Sequence, residues 1–130
     1  MTATDVFRRI IGALDAEQRQ SQFNVIEFAT GWKIDLIIRK SRQFSLEEFE
    51  RRSVVDFAGM HVVISTAEDI LIAKLEWAKL GESHRQIEDA AGILRTRSKE
   101  LYQAYIKNWV HELCLAKQWV IACELAGHNP

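Results

Sequence analysis

Two apolar, β-rich runs around a Thr-Gly pair, within residues 23–38, constrain the fold most strongly. Runs of β-branched and aromatic residues that flank such a pair predict an antiparallel hairpin. The second run carries one acidic residue, Asp35, among isoleucine and leucine residues. Because side chains alternate between the two faces of a strand, Asp35 shares a polar face with Lys33 and Arg39, opposite an apolar face. This pattern alone favours a solvent-exposed Asp35.

The remaining sequence predicts mainly helices. A Ser-Leu-Glu-Glu pattern at 45–48 has the form of a capping box, which predicts a short helix through Arg52. Thr66 is the predicted N-cap of a helix that ends before Gly81. The other predicted elements are a helix over residues 3–17, a second hairpin from residues 54–57 and 61–64, a helix from Ser83 or His84 to about Thr96, and one or two helices over residues 98–126. We therefore expect an α+β fold, in which a small antiparallel or mixed sheet packs with helices and a helical C-terminal tail.

Length and composition predict a single domain over residues 1–130, with a helix and the small sheet in 1–65 and the helical part in 66–130. The formal net charge of −1 argues against general nucleic-acid binding, which needs a surplus of Lys and Arg. No apolar run approaches the ~20 residues of a membrane helix. Cys114 and Cys123 have no metal-ligand spacing, so we expect reduced core thiols and a cytoplasmic location.

Lys74 lies in the middle of the apolar face of the helix predicted over residues 66–80. Glu76 and Lys79 are expected on the opposite, exposed side of this helix. Two interpretations are open for Lys74. Its side chain either extends past a thin edge of the core into solvent, or carries its ammonium group into a pocket, where a carboxylate or a phosphate must neutralise it.

Arg85 and Asp89 stand four residues apart on the polar side of the next predicted helix. This spacing is typical of a surface ion pair, and it also suits two residues that face a ligand. Gly92, in the middle of the same helix, costs about 1 kcal/mol relative to Ala, which indicates close packing at that point. The four histidines show no spacing typical of a metal site.

Several motifs, taken in order, resemble the later part of small bacterial nucleotidyltransferase-like proteins related to the AbiEii-type toxins. The similarity covers nearly the whole chain from about Val6 onward. The residues that carry it are 23–26, 30–36, 44–52 and 67–77, followed by Arg85, Gln86, Asp89 and 92–94. The resemblance implies a nucleotidyltransferase-like fold.

The resemblance also implies roles for four residues. Asp35 matches the third metal-binding carboxylate, which helps to hold Mg²⁺ ions beside a nucleoside triphosphate. Lys74 matches a helix lysine that faces the nucleotide phosphates, and Arg85 and Asp89 match a later polar motif. The family's Gly-Ser motif and its Asp-x-Asp pair do not occur before Asp35, so two of the three metal-binding carboxylates are missing. One carboxylate cannot hold two Mg²⁺ ions in the required geometry.

Two functions follow as expectations. The first is a truncated or degenerate nucleotidyltransferase-like protein, inactive alone, that binds a nucleotide with Mg²⁺ or is complemented by a partner protein supplying the missing motifs. The second is a non-catalytic, dimeric protein-interaction module, which the family resemblance connects to toxin-antitoxin or defence systems. Loss of the first strands leaves a sheet edge uncovered, so we expect a homodimer. Neither Mg²⁺ nor nucleotide is expected to be required for folding.

Overall fold

The computed structural model describes the strand backbones at Gln22–Ile26 and Lys33–Ile37, residues 29–31, and residues 40–130 in full. These residues combine helices with antiparallel hairpins, which confirms the α+β prediction. The elements are β1 (Gln22–Ile26), β2 (Lys33–Ile37), α1 (Gln43–Arg51), β3 (Ser53–Phe57), β4 (Met60–Ile64), α2 (Ala67–Gly81), α3 (His84–Arg97), α4 (Gln103–Glu112) and α5 (Ala116–Ala126). The helix predicted over residues 3–17 lies outside the described residues.

Backbone contacts divide the chain into two compact units, Met1–Phe49 and Glu50–Pro130. In the first unit, β1 and β2 form the predicted hairpin, with Asn24 opposite Asp35. The predicted capping box is wrong, because α1 begins at Gln43 and Ser45 is already inside the helix. Ser45 is buried, and its hydroxyl accepts a hydrogen bond of 3.2 Å from Nε of Arg42.

The second unit opens with the β3–β4 hairpin, in which Val55 faces Val62 and Phe57 faces Met60. Its two-residue turn, Ala58 and Gly59, has φ values of 51° and 79°. A turn with both central residues in the left-handed region matches the twist of an antiparallel hairpin. The predicted second hairpin is therefore confirmed.

Helix α2 begins as predicted, because the Thr66 side chain accepts a 3.2 Å hydrogen bond from the backbone N–H of Asp69. It ends one residue later than predicted. Gly81 is still helical, and Glu82 takes the left-handed conformation with φ of 49°. The region after residue 98 forms two helices, α4 and α5, which is one of the two predicted arrangements.

Helices α2 to α5 share one core in the second unit. The fully or almost fully buried side chains of this core are Leu71, Ile72, Leu75, Ala90, Ala91, Leu94, Ile106, Leu115, Ala122 and Cys123. Cys114, by contrast, is exposed, so the expectation that both cysteines are core thiols is wrong for Cys114. The close packing expected at Gly92 is also wrong, because a Cβ atom placed there would meet no atom within 4 Å. None of the helices in the described ranges is long and apolar enough to cross a membrane.

Candidate functional site

Lys74 and Asp89, two of the predicted site residues, lie together and join α2 to α3. Nζ of Lys74 donates to Oδ2 of Asp89 at 3.2 Å. The Lys74 side chain is 20% exposed and that of Asp89 is 47% exposed. The sequence analysis named a carboxylate or a phosphate as the partner that Lys74 would need in a pocket. In the structure Asp89, on the neighbouring helix, is such a carboxylate.

Arg85 lies one helical turn before Asp89 on α3 and is exposed. The predicted Arg85–Asp89 ion pair is wrong, because Asp89 pairs with Lys74 across the two helices. The i, i+4 pair on this stretch of α3 joins His84 to Glu88, with 3.4 Å between Nε2 and Oε1. Lys74, Asp89 and Arg85 thus occupy one partly exposed region of the second unit.

Asp35 belongs to the first unit, on β2, and its side chain lies outside the described residues. Its predicted role as a catalytic and metal-binding carboxylate stays a prediction. Within the part of the chain that the structure describes, no group of three or more His, Cys, Asp or Glu side chains is arranged to hold a metal ion.

Glu76 shows where the helical-wheel prediction for α2 is wrong. This side chain was expected on an exposed face, but Glu76 is buried. Helix α2 packs against α3, α4 and α5, so more of its surface is covered than the helical wheel indicates. Lys79 is exposed as predicted, and its ammonium group donates to the carbonyl of Leu113 at 3.1 Å, just after α4.

The most complete polar cluster in the described residues surrounds Asp69, whose side chain is fully buried. Oδ2 of Asp69 accepts from the Thr66 hydroxyl at 2.8 Å and from Nε of Arg51 at 3.2 Å. Oδ1 accepts from the Tyr105 hydroxyl at 2.6 Å. The Arg51 guanidinium also stacks on the Tyr105 ring, 3.9 Å from its centre. The carboxylate is bonded through both oxygens and paired, so within the second unit the cluster joins Arg51 and α2 to Tyr105 of α4.

Glu68 extends this cluster toward the surface. Its Oε1 accepts from the backbone N–H of Tyr102 at 3.0 Å, and its Oε2 lies 3.7 Å from Nη2 of Arg51. Burial on its own raises the pKa of Glu68, but the hydrogen bond from Tyr102 and the smaller effects that include the Arg51 charge outweigh it. The net result is a pKa below the usual 4.5.

The β3–β4 hairpin is the main apolar feature of the described surface. Seven of its ten strand residues are apolar. Five of them are strongly exposed: Val54 (64%), Phe57 (47%), Met60 (61%), Val63 (55%) and Ile64 (43%). Proteins rarely leave so many large apolar side chains exposed on one short hairpin unless the hairpin contacts something else.

The register assigns these residues to two faces of the ribbon. Residues directly opposite one another in an antiparallel pair lie on the same face. The apolar face therefore carries Val55, Phe57, Met60, Val62 and Ile64, together with Ser53. The other face is mixed and carries Val54, Asp56, His61 and Val63. Among the described strands, β3 and β4 pair only with each other. Within that part of the chain the outer edge of each strand, here called its free edge, therefore has no neighbouring strand.

Comparisons of this chain with protein-family models, with curated proteins and with solved structures give no match.

Proposed function

We propose that this protein is a non-catalytic protein-interaction module and that the β3–β4 hairpin is its contact surface. The observation that carries the proposal is the exposure of Val54, Phe57, Met60, Val63 and Ile64 on a ribbon of only two strands. The function is binding, because the hairpin offers apolar side chains and backbone groups and carries only Asp56 and His61 as titratable side chains.

A two-stranded hairpin gains from binding for a physical reason. Two strands alone are marginally stable in water, and a third strand or a packed helix makes such a ribbon stable. An apolar partner surface removes the exposed side chains from water, and each buried CH₂ group contributes about 0.8 kcal/mol. The features that make the hairpin unfavourable in water therefore favour its binding.

Photo-crosslinking tests this proposal directly. A photoreactive phenylalanine analogue replaces Met60 on the hairpin in one variant and Tyr102 in a control, since both side chains are 61% exposed. We expect irradiation of cells expressing the chain to give a discrete adduct from position 60 and none from position 102. Its mass distinguishes a second copy of the 15.0 kDa chain from another protein. Equal labelling from both positions, or none from position 60, would contradict the proposal.

Nucleotide binding by a degenerate nucleotidyltransferase-like protein is the second candidate function. The observation that favours it is that Lys74, Asp89 and Arg85 occupy one partly exposed region. A bound phosphate would have to compete with Asp89 for Lys74. In this interpretation Asp35 and Mg²⁺ contribute only if a partner chain supplies the missing carboxylates.

Isothermal titration with ATP, GTP, CTP and UTP, with and without Mg²⁺, tests the second candidate. Lys74→Ala is expected to abolish binding without unfolding the protein, whereas Lys79→Ala on the same helix is the matched control. Unchanged affinity in Lys74→Ala excludes the phosphate role of this lysine. The cytoplasm stays the proposed compartment, supported by two free cysteines, and a toxin-antitoxin or defence setting stays a proposal from the resemblance.

A further inference from the structure

We propose that the hairpin binds a second copy of this chain, through antiparallel pairing of β4 with the partner's β4 about a two-fold axis at Val62. The paired hairpins then form one four-stranded sheet, in which the two apolar faces join into one. This inference rests on the proposed function and identifies the partner as a second copy of the chain.

The backbone of β4 has the groups that such pairing needs. In an antiparallel ladder, hydrogen-bonded and non-hydrogen-bonded residue pairs alternate. The two-residue turn makes Phe57 and Met60 a hydrogen-bonded pair, and Val55 with Val62 is the next such pair. The N–H and C=O groups of His61 and Val63 consequently point to the free edge of β4. Pairing about Val62 joins His61 to the partner's Val63 by backbone hydrogen bonds. By symmetry it also joins Val63 to the partner's His61.

The side chains of β4 suit pairing with an identical strand. The sequence Met-His-Val-Val-Ile contains no Lys, Asp, Glu, Arg or Pro, which are the residues that normally protect a free strand edge. In the proposed register, Met60 faces the partner's Ile64 and Val62 faces its own symmetry mate. Apolar side chains therefore meet apolar side chains on this face, and no carboxylates are brought together; the two His61 side chains lie diagonally across the ladder on the other face.

The edge of β3 is less suited to self-pairing, which explains why assembly stops at two copies. Asp56 lies on the mixed face of the hairpin, and its carboxylate accepts a 3.0 Å hydrogen bond from the backbone N–H of Gly59. Pairing of β3 with itself about Val55 would place two Asp56 carboxylates diagonally across the new ladder. Two-fold pairing through β4 alone gives a closed dimer.

The second copy also supplies the area that one hairpin lacks. A five-residue strand is about 17 Å long and strands lie about 4.8 Å apart, so one hairpin face covers roughly 160 Å² and the paired sheet roughly 320 Å². The larger value reaches the range of functional apolar patches, about 300–600 Å². Four strands also exceed the minimum of three that gives a sheet independent stability.

Two proline variants test the inference by light scattering at tens of micromolar. Val63→Pro removes an N–H from the free edge of β4, and Val54→Pro removes one from the free edge of β3. Val54 and Val63 face each other as a non-hydrogen-bonded pair. Neither proline therefore removes a hydrogen bond between β3 and β4. We expect wild type and Val54→Pro to have twice the 15.0 kDa chain mass. For Val63→Pro we expect a dimer dissociation constant at least tenfold higher than that of wild type. Equal effects of the two variants would overturn the inference.

A cysteine variant tests the register. In a Cys114→Ser background, Val62→Cys brings two thiols to the symmetry axis and is expected to give a disulfide-linked dimer on mild oxidation, whereas Val54→Cys is not. Monomeric wild type without this cross-link would overturn self-pairing. If position 60 then still gave a photo-adduct with another protein, the proposed function would stand. If position 60 gave no adduct, both would fail.

Discussion

The Asp69 cluster allows a quantitative stability prediction. Asp69→Ala removes a fully buried carboxylate that accepts hydrogen bonds from Thr66, Arg51 and Tyr105. It removes the charged acceptor of the Tyr105 hydroxyl and leaves the Arg51 guanidinium with Glu68 alone as a carboxylate partner, at 3.7 Å. Hydrogen bonds to a charged group contribute about 1.5–3 kcal/mol each, and Arg51 is 31% exposed, so we expect a loss of about 3 kcal/mol in the free energy of unfolding.

Asp89→Ala is the matched control for this variant. Asp89 is also a helical aspartate bonded to a cation, but it is 47% exposed, so its loss is expected to cost at most about 1 kcal/mol. Urea unfolding followed by the fluorescence of the buried Trp109 and Trp119 measures both variants. Equal losses, or a loss below about 1 kcal/mol for Asp69→Ala, would show that the buried cluster does not fasten the helices as described.

Three further predictions concern single residues. Gly92→Ala is expected to raise the free energy of unfolding by about 0.8–1.0 kcal/mol, because the added methyl group meets open space, whereas Gly127→Ala at φ of 66° should lower it; the same sign for both would contradict this. Burial raises the pKa of Cys123 to about 11, so iodoacetamide at pH 8 should alkylate the exposed Cys114 and spare Cys123 until the protein unfolds; mass spectrometry of digests checks this. The lowered pKa of Glu68 contributes stability above pH 4.5 that is lost as the pH falls through the folded-state pKa. Glu68→Gln should therefore be less stable than wild type at pH 7, and urea titrations should show this difference shrinking as the pH is lowered below 4.5. A difference that stays constant as the pH is lowered would refute the Glu68 assignment.

Sequence patterns predicted the local structure well, because its causes lie within a few residues. The Thr66 cap depends on Asp69, three positions away, and the β3–β4 turn depends on Ala58 and Gly59 themselves. The capping box at Ser45 shows the limit of such patterns. The Ser-Leu-Glu-Glu residues at 45–48 also fit inside a helix, and the observed helix begins at Gln43, two residues before Ser45.

Contacts between residues far apart in the chain could not be predicted from the sequence patterns. Tyr105 reaches Asp69 across 36 positions, and nothing in the spacing of either residue indicates the other. The sequence places Lys74 on an apolar helix face and leaves its partner open, because its pairing with Asp89 depends on how α2 and α3 pack. The burial of Glu76 was likewise not indicated by the periodicity of α2.

The hairpin shows a different kind of limit. Strands as apolar as Met60–Ile64 usually predict burial, yet the structure exposes much of this strand. An apolar strand sequence indicates that the strand tends to be buried. It does not indicate whether the rest of the same chain or another molecule covers it. The proposed partner surface would account for this exposure.

Amide hydrogen exchange of the hairpin tests the central claim most directly. In a concentrated sample, the outward-pointing N–H groups of His61 and Val63 should exchange slowly, and dilution should make them exchange fast. The corresponding N–H groups of Val54 and Asp56 on β3 should exchange fast at every concentration. Fast exchange at His61 and Val63 in concentrated protein would contradict the account of this hairpin as an interaction surface completed by a second copy.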